Sequence, residues 1–248
     1  MSPPRFFVEA ALSAGATVRL PERTAHHALR VLRLRDGAPV VLFDGHGGQY
    51  AATLQLDGAA ALARLGAFDP VERESPLKLT LIQALVAAEK VDWVVEKSVE
   101  LGVARIVLAP MQRCAVRLDP SRAARRVRHW IDVARAASSQ CGRNRVPAVD
   151  LCGDFGAALA SVASGQPRLL LSPRAGRSLG STITGDRAAL LVGPEGGLAE
   201  NETALATAAG FVAVTLGPRT LRTETAGLAA IAALQAIHGD FAGGPGQE

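Results

Sequence analysis

Leu190-Leu191-Val192-Gly193-Pro194-Glu195-Gly196-Gly197 and, further on, Val212-Ala213-Val214-Thr215-Leu216-Gly217-Pro218-Arg219 share one design, an apolar run that stops at Gly-Pro. Apolar runs of this length bounded by Gly and Pro have the pattern of strands buried on both faces of a parallel sheet. Gly and Pro at the exits predict tight bends whose N–H and C=O groups stay unpaired and able to meet a ligand. In open α/β sheets ligands bind beyond the carboxyl ends of the strands, so two such exits predict one shared pocket. A Gly-Pro-Glu-Gly-Gly bend taken alone is more often a plain surface turn. The pair is what makes the pattern specific, with Leu221-Arg222-Thr223-Glu224-Thr225-Ala226 opening a helix after the second bend.

Around these passages the pattern from residue 77 onward alternates. Strands are predicted over 77–84, 105–110, 168–172, 187–192 and 211–216, and helices over 87–101, 121–140, 200–209 and 223–238. The helix over 87–101 carries Val91, Val94, Val95 and Val99 on one face and ends at Gly102; Ser121 is the expected cap of the next one. Such alternation predicts an α/β domain, a parallel sheet with helices on its faces. The final helix has only Gln235 as a polar side chain between Ala226 and Ile237, so it needs cover on more than one side. A single sheet cannot supply that, and packing against a second copy, a homodimer, is expected. Burial among the chain's own elements is the alternative.

The residues before 70 read differently. Phe6-Phe7-Val8, Thr17-Val18-Arg19-Leu20 and the runs 39–43 and 49–56 are short strands separated by turns such as Asp36-Gly37 and Asp44-Gly45-His46-Gly47-Gly48. One helix interrupts them, with Thr24 as its expected cap and Ala25, Ala28, Leu29 and Leu32 at helical spacing. Many short strands in so small a unit predict a β-barrel. Residues 71–76, Val-Glu-Arg-Glu-Ser-Pro, mark the one composition break, so the expected division is a domain over 1–70, a linker over 71–76 and a second domain over 77–248.

Composition narrows the function classes. The 248 residues are 48% hydrophobic, with no apolar run near the ~20 residues that a membrane helix needs and no signal-peptide core after Met1. Cys114, Cys141 and Cys152 have no metal-ligand spacing and leave one thiol over in any disulfide scheme, which favours a reducing cytoplasm. His26 and His27 lack a third ligand, so no metal site is expected. The formal charge is only +4, yet nine arginines lie between Arg113 and Arg145 against Asp119 and Asp132. That local excess suits a polyanion, for which arginine is well shaped, though a solvated helix face gives the same pattern.

Neither Gly-x-Gly-x-x-Gly nor a Walker cradle is present, and Glu195 in the first bend would repel a phosphate. A nucleoside carrying a positive centre suits the bends better. Gly193-Pro194-Glu195-Gly196-Gly197, followed by Leu216-Gly217-Pro218-Arg219-x-Leu221-Arg222-Thr223-Glu224-Thr225-Ala226, resembles the bacterial 16S rRNA uridine-N3 methyltransferase family of the SPOUT class. Glu96-Lys97-Ser98-Val99-Glu100-Leu101-Gly102 and Gln140-Cys141-Gly142-Arg143 extend the likeness. Arg5-Phe6-Phe7, the run from His26 to Arg33, and Asp44-Gly45 resemble the same family's PUA-like RNA-binding domain. One departure is Ser139, where the family usually has a glutamate. The resemblance implies a SPOUT α/β fold with a C-terminal trefoil knot, S-adenosyl-L-methionine as cofactor and 16S rRNA in the small ribosomal subunit as partner. The knot runs against the general avoidance of knots, which admits few exceptions.

The reaction so implied is displacement at a sulfonium methyl by uridine N3, which the protein assists mainly by placing two reactants in line and managing one proton. Arg222 is then expected to steady the uracil oxygens or a flanking phosphate, and Glu224 to take the N3 proton or orient the group that does. A plain helix-start salt bridge is the alternative for this pair. Backbone groups of Gly193, Leu216 and Leu221, with close approach at Gly196, Gly197 and Gly217, are expected to hold the adenosyl moiety. Leu171, Ser172, Pro194, Glu195, Arg222 and Thr225 complete the expected cofactor site. Arg5, His27, Arg30, Arg33 and Arg143 are the expected RNA contacts, mostly to phosphates. A SPOUT enzyme acting on a ribose hydroxyl or another base, and a non-catalytic rRNA assembly factor, remain as other readings.

Overall fold

The computed structural model describes residues 2–58, 60–117, 119–179 and 183–243, and the chain divides into two compact units. The first comprises Met1–Glu74 and Arg135–Val146, the second Ser75–Ala134 and Pro147–Glu248.

In the first unit, β1 (Arg5–Phe7), β2 (Thr17–Arg19), β3 (Pro39–Phe43), β4 (Gln49–Asp57) and β5 (Ala60–Asp69) form one sheet in the order β1-β3-β4-β5-β2. β1 runs parallel to β3, and the other ladders are antiparallel. Alternate residues turn inward, as Ala61, Ala63 and Leu65 do on β5, and meet Phe6, Val8, Leu20, Val40, Leu42 and Leu54 in the core. The helix α1 (Glu22–His26) starts earlier than its sequence suggests: Pro21, not Thr24, stands at the cap, and its carbonyl accepts from Ala25 N–H. The fixed φ of Pro21 and an acid at Glu22 favour that start. The chain then widens into a π-helical turn, His27–Val31, closed by Leu32 N–H on His27 C=O at 2.9 Å. Arg33 follows with a left-handed φ of 52°.

The break between Glu74 and Ser75 falls inside the expected linker, and the second part of this unit is an addition to the expected division. Residues 135–146 group with the strands above rather than with residues 77–134, and the supposed linker is what holds them. Arg143 pairs with Glu74 through two guanidinium nitrogens, one of them Nε at 2.9 Å. Asn144 donates to Val71 C=O at 2.6 Å, Arg73 donates to Gly142 C=O at 3.1 Å, and Arg145 lies 3.4 Å from Glu72. A charged stretch that ends in proline looks like a linker, but here its charges have partners far along the chain.

In the second unit, β6 (Lys78–Ala84), β7 (Arg105–Ala109), β8 (Ala148–Leu151), β9 (Arg168–Leu171), β10 (Arg187–Val192) and β11 (Val212–Val214) form an all-parallel sheet in the order β11-β9-β10-β6-β7-β8. The helices are α2 (Ala88–Glu100), α3 (Pro120–Cys141, whose last turns belong to the first unit), α4 (Phe155–Ala160), α5 (Glu200–Ala208) and α6 (Thr223–His238). Asp119 rather than Ser121 caps α3, its carboxylate accepting from Ser121 N–H at 2.9 Å. β8 and α4 are additions to the sequence reading. β8 is a short edge strand whose Asp150 pairs with Arg105 at 2.8 Å, and α4 begins at Asp154, which accepts from Ala157 N–H at 2.7 Å.

α6 rests on β6, β10 and α2, burying Gly227, Ala230, Ile231 and Leu234. Its one interior polar side chain is satisfied: Gln235 accepts from Ser75 Oγ at 2.6 Å and donates to Leu101 C=O at 3.1 Å. Leu228, Ala229, Ala232 and Ala233 remain half-exposed and Ile237 is 50% exposed, so part of this apolar helix lacks cover within one chain. Among the described residues no helix is long and apolar enough to cross a membrane.

Candidate active site

β11, β9 and β10 are neighbours and parallel, so their carboxyl ends open on the same edge of the sheet. The first bend follows β10 and closes with Gly197 N–H on Pro194 C=O at 2.8 Å, with Gly197 at φ +69°. The second follows β11; there Thr215 Oγ1 donates to Gly217 C=O at 3.1 Å, and Gly217 has φ +116°. Both angles lie where a side chain is strained, which is why glycine stands at each. Between them, at the end of β9, Ser172 N–H donates to Val214 C=O at 2.9 Å. Thr215 N–H then donates to Arg177 C=O and Leu179 N–H to Thr215 C=O, so the segment after β9 runs beside the second bend.

The first bend is tied to the start of α6, the helix that follows the second bend. Thr223 Oγ1 donates to Gly193 C=O at 2.6 Å and accepts from Gln83 Nε2 at 3.0 Å. Gln83 ends the apolar run of β6, is fully buried, and leaves Oε1 without a partner. This chain of bonds fixes the start of α6 against the exits of β10 and β6. Two further ties steady the first bend. Arg113 donates to Gly196 C=O at 3.0 Å. Glu202, buried at the start of α5, accepts from Ala199 N–H at 2.9 Å and from Gln112 N–H at 2.8 Å.

Charge gathers at the same place. Lys90, in the first turn of α2, lies 3.0 Å from Glu195 and 3.2 Å from Glu224. Hydrogen bonds to Glu195 and then to Glu224 raise the Lys90 pKa above its ordinary value. At Glu195 burial opposes the charge, but a hydrogen bond from its own backbone and the Lys90 ammonium outweigh it, and the pKa falls below the ordinary carboxylate value. Glu224 uses Oε1 on Lys90, while its Oε2 is buried with no partner. Arg222, exposed at the cap of α6, accepts on its carbonyl from Thr225 and Ala226 N–H, and its positive charge helps, less than Lys90 does, to lower the Glu195 pKa.

The structure thus brings Leu171, Ser172, Gly193, Pro194, Glu195, Gly196, Gly197, Leu216 and Gly217 onto three adjacent strand exits, while Leu221, Arg222, Glu224 and Thr225 lie at the start of α6, which Thr223 ties to Gly193. It adds Gln83, Lys90, Arg113 and Thr223, which the sequence reading passed over. Gln83 had a legible signal, a lone amide in an apolar strand; Lys90 had none. Among the described residues no three His, Cys, Asp or Glu side chains group as metal ligands.

The expected RNA contacts divide. His27, Arg30 and Arg33 are exposed on or just after the π-helical turn, together with Val31 (59% exposed) and Leu32 (40%). Arg5 and Arg143 do not present free guanidinium groups. Arg5 stacks on Phe43 and donates to Gln49, Asn144 and the Arg143 carbonyl. Burial, followed by the charge of Arg73, lowers its pKa. Arg143 is only 4% exposed and is engaged by Glu74. These two arginines hold the first unit together. Ser139 donates to Arg135 C=O at 2.9 Å, and the carboxylate that steadies Arg143 comes from Glu74. On α3, Arg122, Arg125 and Arg128 recur on one exposed stripe.

Comparison with known proteins gives this geometry its family. The model of an RNA methyltransferase domain matches residues 73–235, and that of an RNA methyltransferase PUA domain matches residues 20–59. Ribosomal RNA small subunit methyltransferase E of Mycobacterium tuberculosis is 32% identical over 241 residues, covering 92% of this chain and 90% of its own. A crystal structure of ribosomal RNA small subunit methyltransferase E from Neisseria gonorrhoeae bound to S-adenosyl methionine is 41% identical. It superposes with a TM-score of 0.88 over 97% of this chain and 100% of that one. A Legionella pneumophila methyltransferase in complex with the same cofactor is 32% identical, with a TM-score of 0.92 over 97% and 100% of the two chains. The chain belongs to the RNA methyltransferase family whose members are named ribosomal RNA small subunit methyltransferase E.

Proposed function

We propose that this protein methylates N3 of a uridine in 16S rRNA, using S-adenosyl-L-methionine held over the exits of β9, β10 and β11. The observation that carries this is the Gln83–Thr223–Gly193 chain of hydrogen bonds, which fixes the start of α6 against the first glycine bend and the exit of β6. The residues suit an adenosyl sulfonium ligand. An added Cβ at Gly197 or Gly217 would meet nothing within 4 Å, so both bends leave room beside the backbone. Glu195 and Glu224 set two carboxylates at the site that attract a cation, with Lys90 between them and Arg222 offsetting part of their charge. When bound, this donor supplies a methyl group already carrying its leaving group. Glu224 Oε2, a buried acceptor without a partner, receives the uracil N3 proton. Uracil N3 uses the freed electron pair to bond the methyl carbon, whose bond to sulfur breaks with its pair left on sulfur. Arg222 offsets charge that develops on the uracil oxygens.

The segment after β9, bonded alongside the second bend, belongs on this reading to the trefoil-knotted pocket of the SPOUT class. A cytoplasmic location and the small ribosomal subunit as the setting go with the same substrate. Labelled donor incubated with naked 16S rRNA and with isolated small subunits, followed by nucleoside analysis, tests the assignment. 3-Methyluridine is the expected product; a ribose-methylated nucleoside or another methylated base would overturn it.

Binding of RNA to the first unit by His27, Arg30 and Arg33 is mostly phosphate neutralisation, so affinity should fall with salt. With about three such contacts the log–log slope is near −2 to −3, each contact contributing about 0.7 to 0.9. A flat response in filter binding between low and moderate salt would remove these residues from the interface. The half-exposed side of α6 is covered by a second copy, and a homodimer is the expected state. Sedimentation that gave a folded monomer at micromolar concentration would exclude this.

A further inference from the structure

We propose that Lys90 is a positioning residue for methyl transfer: its ammonium ties the first glycine bend to the first turn of α6 and turns Glu224 so that Oε2 is left for the acceptor. Nothing in local structure asks for a lysine at this point. It stands in the first turn of α2, where the helix dipole disfavours a cation, and the cap residue, Ala87, makes no side-chain bond. Its partners come from distant parts of the chain, Glu195 in the bend after β10 and Glu224 at the start of α6. Pairs this exposed add little to stability, since Lys90 is 27% exposed and Glu195 47%. What the pairing fixes is geometry. Lys90 reaches both carboxylates through a single nitrogen, so it sets the separation of the two segments that carry them.

The orphaned oxygen strengthens the inference. Glu224 is the more enclosed partner, with a side chain 15% exposed, and its Oε2 has no donor at all. A buried acceptor in that state costs stability unless a ligand supplies the hydrogen bond. Lys90 occupies one oxygen and thereby decides which way the other faces. Other charged and titratable groups lie around the cluster. Arg222 faces Glu195 from the start of α6, Cys114 and Glu202 lie on the side of the β7 loop and α5, and Arg113 sits on the Gly196 carbonyl. None of these stands between the two carboxylates as Lys90 does.

Lys90→Met should leave two carboxylates beside each other with no cation between them, which disfavours the second charge and raises at least one of their pKa values. This role for Lys90 rests on the proposed methyl transfer, so two readouts are needed. The first is the single-turnover rate across pH 5 to 9. Lys90→Met should move the acid limb up by about one unit, making its deficit about tenfold greater below the limb than above it. Lys90→Arg should restore the limb, and Lys90→Met with Glu195→Gln should bring it back, because one carboxylate then stands alone. The second readout needs no turnover: carboxyl carbon NMR of glutamate-labelled protein should show the same upward movement in Lys90→Met. An active wild-type enzyme whose limb stays in place in Lys90→Met, or an equal loss at every pH that Lys90→Arg shares, would overturn the role of Lys90. Unmoved carboxyl titrations would overturn it as well. Absence of 3-methyluridine from the wild-type reaction would instead strike the proposed function.

Discussion

Glu224→Gln is expected to lower the single-turnover rate of uridine methylation by about 10²- to 10⁴-fold, the range that a positioned general base supplies. The substitution keeps shape, so an amide oxygen can still face Lys90 where Oε1 lies at 3.2 Å. What it removes is the ability to accept a proton at the buried, unpartnered Oε2. The structural cost is small: an acid in the first turn of α6 contributes about 0.3–1 kcal/mol through the helix dipole. Unfolding should therefore shift by only a few degrees, since 1 kcal/mol corresponds to about 2–4 °C in a chain of this size. Arg222→Ala removes an exposed guanidinium that caps nothing with its side chain, and about 10²-fold of rate is expected to go with it. Rates close to wild type in both variants would reduce the pair to a helix-start contact and leave the proton without an acceptor. Loss of rate with a collapse of thermal stability would not count in favour either, because the effect on chemistry is expected with the fold retained.

The parts of this protein that could be read from its sequence are those whose causes are local. Gly193-Pro194 and Gly217-Pro218 end their strands by backbone restriction alone, and the apolar stripe of α2 needs only a helical period to be seen. Arg5 and Arg143 show the limit. Charge and resemblance point both to RNA, yet one donates within its own unit and the other is buried on Glu74. A count of arginines cannot tell a solvated guanidinium from one whose partner lies 69 residues away. Residues 135–146 escape a sequence reading for the same reason, since Glu72, Arg73 and Glu74 look like a linker until the segment they grip is known. Lys90 is harder still. It joins carboxylates 105 and 134 positions later in the chain, and no period or spacing connects them.

Gly196 offers the sharpest separation of donor binding from folding. A Cβ there would lie 3.3 Å from Arg113 Cβ and 3.5 Å from Arg113 Cδ, so a larger side chain has to displace the arginine that holds the Gly196 carbonyl. Arg113 Cβ is fixed by its own backbone, so the bend has to give by a few tenths of an ångström there, while the exposed remainder of the arginine can swing away. The backbone at Gly196 is also free of the positive φ that makes Gly197 intolerant, so the bend itself can still form. Gly196→Trp should therefore fold with a thermal midpoint within about 4 °C of wild type, the equivalent of 1 to 2 kcal/mol. Its affinity for S-adenosyl-L-methionine should nevertheless fall at least 100-fold by calorimetry, about 2.8 kcal/mol. The reason is spatial: the proposed site has the backbone of the exposed bend between β10 and α5 approach the donor, and an indole there takes up the room that glycine leaves open. RNA binding to the first unit should be untouched, which makes filter binding the internal control. An unchanged donor affinity in a folded Gly196→Trp protein would move the donor away from the three strand exits, and with it the roles of Glu224 and Arg222.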